Sequence, residues 1–152
     1  MKKRERNSRA IEMLFWSIAF PGFGQFLNGK LIKGIVLIFL EFVINVQANL
    51  NTVIVYSFHG EINKAIQQVD YQWIMFYPCI YMFAIWDAYK DAGGGGPYAF
   101  LPFVFAAYFG TIGVIYSSEI LGPIWLPITF LILGSFIGFG IKGIINWRKN
   151  EV

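Results

Sequence analysis

Four stretches of this chain, 34–50, 71–89, 97–117 and 121–146, each contain at most one charged residue. A helix needs roughly 17 to 25 apolar residues to cross about 30 Å of hydrocarbon, and all four are of that order. Charged residues make up 14% of the 152 residues and hydrophobic ones 57%, whereas soluble domains carry about 25% charge. A chain of this size leaves roughly 30% of its unfolded area exposed, so so much apolar surface cannot all be hidden from water. Lipid is the expected solvent. There a lone segment satisfies its backbone only as a helix, and Ile35-Val36-Leu37-Ile38-Phe39-Leu40 lacks the period-two alternation of a barrel strand. The expected fold is all-α: one polytopic membrane domain over 1–152 with four transmembrane helices.

A fifth stretch, 10–29, is broken by Pro21-Gly22-Phe23-Gly24 and carries Glu12 near its start. Proline removes an intrahelical hydrogen bond and glycine loosens the backbone, so a kinked span, an interfacial helix and a re-entrant hairpin all fit. If all five stretches cross, the twelve basic residues divide six and six; if 10–29 dips in and returns, eleven share one side and Lys64 stands alone opposite. The second arrangement follows the positive-inside rule. Omitting 71–89 instead gives ten to two, yet that segment has no charge before Asp87. Four spans with a re-entrant or interfacial N-terminal segment are therefore expected, with five spans as the alternative. The basic tail 1–9 and both termini are placed in the cytoplasm of a cell-membrane protein. Glu12 and the lack of a small-residue cleavage site argue against a secretory signal.

Aromatics fall at the expected ends of these helices: Tyr71, Trp73, Tyr116 and Trp125 at the outer, Trp86, Tyr89, Tyr98 and Trp147 at the inner. Such belts suit interfacial Trp and Tyr. The outer loop 51–70 places Ile62, Ala65, Ile66 and Val69 at helical spacing, which predicts a short surface helix. His59 there reads as solvated or interfacial.

Glu41 lies near the middle of its span, where a charge costs a few kcal/mol or more. It must be protonated, paired or hydrated. Asn45 and Asn49, one and two turns on, are expected to extend a polar stripe on the same face. The stripe fits either a proton or cation path or an interhelical hydrogen-bond clamp, and the clamp is favoured because only one ionisable group sits at this depth. Asp87 and Lys142 are expected near the inner ends of their helices, either paired with each other or, slightly preferred, reaching toward headgroups. Gly134, Gly138 and Lys142 recur every four residues, a spacing that lets helices approach closely. Ala106 and Gly110 offer the matching surface, within one chain or between copies.

Catalytic candidates are lacking. The run Gly93 to Gly96 has no following Lys-Ser/Thr; there is no Gly-x-Ser-x-Gly or His-Glu-x-x-His motif, so no enzyme, metal or cofactor site is expected. Cys79 is the sole cysteine, which rules out an intrachain disulfide. A net charge of +3, thinly scattered, does not suit nucleic acid.

The stretch Phe20-Pro21-Gly22-Phe23-Gly24-Gln25-Phe26-Leu27-Asn28-Gly29-Lys30, followed by Lys33-Gly34 and an apolar run, resembles the signature of bacterial membrane proteins related to the two-transmembrane-helix domain family. Gly22, Gly24, Phe26, Gly29 and Gly34 match, and Asp87 resembles the aspartate that often closes the later helix. Leu27 departs from the usual second aromatic, the Asp-Arg-Phe motif of part of the family is missing, and Asp87 comes one helix late. The resemblance implies a small integral membrane protein without enzymatic activity or cofactor, and it would make 10–27 a genuine span. In physical terms Gln25 and Asn28 are expected to bond backbone groups freed at the break, with Lys30 and Lys33 at anionic headgroups. Together these observations predict a non-enzymatic accessory, scaffold or immunity-type subunit working through helix contacts with a membrane-protein partner or a second copy. The alternative is a small oligomeric transporter or channel lined by Glu41.

Overall fold

The computed structural model describes residues 2–150, and these are all-α. The elements are α1 (Lys2–Ala19), α2 (Phe23–Leu27), α3 (Leu31–Gln47), α4 (Leu50–Phe58), α5 (Ile62–Gln68), α6 (Tyr71–Ile74), α7 (Tyr77–Asp91), α8 (Leu101–Tyr116) and α9 (Gly122–Asn150). The 29-residue α9 reaches roughly 44 Å at 1.5 Å per residue. It is long and apolar enough to cross a membrane, and only 28% of its most apolar stretch is buried, unlike the core helix of a water-soluble domain. Helices α3 and α4 together are also long and apolar enough to cross but bend by 64° at their junction, and α8 is a shorter apolar helix.

Two expected spans are interrupted. The segment 34–50 ends as a helix at Gln47, and Asn49 adopts a left-handed conformation at φ 54° before α4 turns away. Asn tolerates that region better than most residues. Asn49 therefore does not continue a stripe below Glu41. Its amide donates to the Gln68 side chain at 3.3 Å, and Asn45 donates to Asn51 at 3.2 Å. The segment 71–89 divides into α6, whose N-terminus Asp70 caps by accepting from the Gln72 and Trp73 amides, and α7, which opens on Tyr77-Pro78. Proline suits a first turn because its missing N–H would have no partner there. For the same reason α8 begins at Leu101-Pro102 rather than Pro97. The predicted surface helix is α5, with Ala65 fully buried in a cluster with Ile44, Val53, Ile74, Val114 and Ile124; α4, α5 and α6 thus close one end of the bundle.

The N-terminal region is a hairpin. Helix α1 runs antiparallel to α7: Arg6 lies against Gly93, Ala10 and Met13 pack with Ala88 and Ala92, and Tyr81 donates to the Ile18 carbonyl at 2.7 Å. After Phe20 the chain reverses, and Gln25, Asn28 and Lys33 meet α7 at successively later positions. By Lys33 it has returned to the end of α7 beside which Arg6 sits. From Lys2 onward the basic tail is part of α1.

Candidate functional site

The glycines of the Pro21–Gly29 motif shape the reversal. Gly22 has φ +95°, and a Cβ there would stand 2.7 Å from Ile38 Cγ1 and 2.8 Å from the Gly34 carbonyl. Both the left-handed backbone and the close approach require glycine. Gly24 rests on α7, where a Cβ would lie 2.8 Å from that of Ala88. Gly29 adopts φ +74° in open space, so its need is conformational alone. Pro21 is buried at the tip.

These turns deliver a polar clasp onto α7. Gln25 is fully buried and its amide donates to the Ala84 carbonyl at 2.8 Å and to Asp87 Oδ2 at 3.1 Å. Asn28 donates to the Ala88 carbonyl at 2.8 Å. Lys33 Nζ bridges Asp87 Oδ1 at 2.7 Å and Asp91 Oδ2 at 3.0 Å. Asp87 and Asp91 are one turn apart near a helix C-terminus, where like charges repel each other and the helix dipole opposes both. The shared ammonium offsets this. Lys33 precedes the apolar run that starts at Gly34, and hydrogen bonds to Asp87 and then Asp91 hold its pKa above the ordinary lysine value.

Two expectations are corrected here. Asp87 pairs with Lys33 and not with Lys142, and Lys142 forms no ion pair among the described residues. Gln25 and Asn28 bond carbonyls of α7 instead of groups freed at the proline break. Lys33, expected at anionic headgroups, meets two aspartates with its side chain half exposed.

Glycines of α9 serve packing within the chain. A Cβ on Gly138 would lie 2.5 Å from Pro102 Cα, and one on Gly134 would strike the Phe105 carbonyl and lie 2.9 Å from Ala106 Cα. On α8, a Cβ on Gly113 would lie 2.8 Å from Pro127 Cα and one on Gly110 would lie 2.9 Å from the Leu131 side chain. Helices α8 and α9 touch backbone to backbone along this seam.

Glu41 is 9% exposed. Tyr77 donates to its Oε1 at 3.0 Å, while Oε2 is buried without a hydrogen-bond partner. The Tyr77 and Tyr81 rings stack with centroids 5.5 Å apart. Glu41 and both tyrosines line a half-enclosed cavity of about 310 Å³, otherwise walled by apolar residues of the hairpin tip, α4, α8 and α9. Neither Asn45 nor Asn49 belongs to it. Tyr77, Tyr81 and Asp91 were not singled out from sequence; the four-residue spacings of Tyr77 to Tyr81 and Asp87 to Asp91 were the available signal.

Comparison with known proteins finds no matching family model, no matching curated protein and no matching solved structure.

Proposed function

We propose that the chain is a multi-pass membrane protein with four crossings, both ends on the cytoplasmic face and residues 10–29 as a re-entrant hairpin. The contact of Arg6 with Gly93 supports this most directly, since five crossings would put those residues on opposite sides. Large exposed side chains, Ile32, Phe42, Tyr108 and Phe136 each above 60%, suit contact with lipid. The likeness of the Pro21–Gly29 motif to the two-transmembrane-helix domain family accords with this location. Cysteines at Asn7, Lys64, Gly94 and Asn150, in a variant lacking Cys79, test it by accessibility labelling. Only position 64 is expected to react from outside. Reaction of position 7 together with 64 would replace the hairpin by a fifth crossing.

Within the membrane the protein acts, in this proposal, as a non-enzymatic accessory subunit through helix contacts. Helix α3 carries the case: it packs against the hairpin and α7 on one side and presents Ile32, Ile35, Phe39, Phe42 and Val46 on the other. A photocrosslinker at Phe39 should yield a discrete protein adduct in native membranes; adducts to lipid alone would sink this role. The cavity at Glu41 favours a second reading, a small oligomeric transporter with a proton or cation path. Glu41→Gln should then abolish flux in reconstituted vesicles, and unchanged flux would dismiss it.

A further inference from the structure

The cavity beside Glu41 has a composition that selects among ligands. Its lining includes one carboxylate and no Lys, Arg or His. That carboxylate accepts a single hydrogen bond, from Tyr77, and its second oxygen has no partner. A buried, singly bonded carboxylate in apolar walls needs a proton or a positive charge beside it. The adjacent stacked tyrosine rings attract cations that shed their water easily, organic ammonium groups above all. Calcium or magnesium takes six or more oxygen ligands and zinc a set of cysteines, histidines or carboxylates, and a lining with one carboxylate and neither histidine nor cysteine supplies neither set. The remaining surface, including Pro21, Ile124 and Ile128, suits an apolar body, as ligand pockets generally do.

We propose that this cavity is a binding site for a lipophilic organic monocation, whose charge Glu41 neutralises and whose cationic group rests against Tyr77 and Tyr81. The inference rests on Glu41 lying inside the bilayer, as in the four-crossing arrangement. It narrows the second reading from any cation to one chemical class.

The test uses the full-length protein in lipid nanodiscs, with benzyltrimethylammonium as probe and neopentylbenzene, the same shape without charge, as comparison. Binding is followed by saturation-transfer NMR against empty nanodiscs. The cation is expected to bind saturably, the neutral compound at least tenfold more weakly, and Glu41→Gln to lower cation affinity at least tenfold. Ile128→Trp fills the cavity from α9 without touching the carboxylate, and it should also abolish binding; it serves if Glu41→Gln does not elute as a folded species. Equal binding of the two compounds, no saturable binding, or undiminished binding by a folded Glu41→Gln or Ile128→Trp variant would each overturn the proposal. If the cation fails to bind while position 7 still labels with position 94, the site is wrong and the topology stands. Labelling of position 7 from outside removes the topology itself.

Discussion

The polar clasp that holds the hairpin to α7 and the glycine seam between α8 and α9 join helices in opposite ways. Lipid tails are as apolar as leucine, so burying apolar side chains drives little association in a bilayer; close packing and hydrogen bonds must do it. The seam uses packing alone, bringing backbones within reach because Gly113, Gly134 and Gly138 have no side chains. The clasp uses direction, with Gln25, Asn28 and Lys33 each matched to a particular acceptor on α7. A seam should be sensitive to added volume and indifferent to pH. A clasp should tolerate modest loss of any one bond and respond to charge.

The largest effect is expected at Gly138. Leucine there would drive a side chain into the Pro102 backbone, and overpacking costs about 1–3 kcal/mol or more; backbone cannot give way as a flexible side chain can. Gly138→Leu should therefore fail to elute as a monodisperse species by size exclusion, and elution like wild type with unchanged melting would break the seam. Next comes Gln25→Leu, which removes two bonds from a fully buried side chain. Individual hydrogen bonds between membrane helices are worth about 0.6 kcal/mol and at most about 1.7, so a loss near 1 kcal/mol is expected in thermal unfolding. A loss as large as that of Gly138→Leu would mean the clasp, not the seam, dominates.

Asn28→Ala should cost about 0.6 kcal/mol by the same measure. Lys33→Met should cost least, under about 0.5 kcal/mol, because the lysine side chain is 48% exposed. Its pH dependence is the sharper signature. The folded-state pKa of Lys33 is raised, so its contribution is fully present below the ordinary lysine value of 10.5 and disappears as pH rises through the higher folded value. Wild type and Lys33→Met should differ in melting temperature by a constant amount from neutral pH up to the ordinary lysine value of 10.5 and converge only above it. A difference that vanished near neutral pH would refute the ion-pair role.

Some of this was legible in the residues alone. Glycine spacing announced the seam because a missing side chain is a local property that needs no partner to be recognised. A break at Pro21 was legible too, with a kink, an interfacial helix and a hairpin all fitting it, and α5 followed from the pattern Ile62, Ala65, Ile66, Val69. The clasp was not legible, since Gln25 is joined to Ala84 and Asp87 across 59 and 62 residues, and spacing along one helix carries no information about another. Asp87 instead was placed by depth, as reaching toward headgroups or pairing with Lys142, and depth leaves rotation about the bundle axis undetermined. The end of α3 was hidden for another reason. No proline or glycine marks residues 47–50, and Asn49 leaves the helix through its own tolerance of a left-handed backbone together with bonds to Gln68. Likewise Tyr77, read as part of an apolar run, acquires its importance only from Glu41 opposite.

That long sequence separation bears on how the molecule is made. A ribosome delivers α1, α2 and the motif well before Ala84, Asp87 and Ala88 exist, so the acceptors of Gln25 and Asn28 arrive late. Until then the buried amide of Gln25 must be served by water, headgroups or the insertion machinery. The N-terminal third of the protein is thus born incomplete and is finished by a helix synthesised more than fifty residues later.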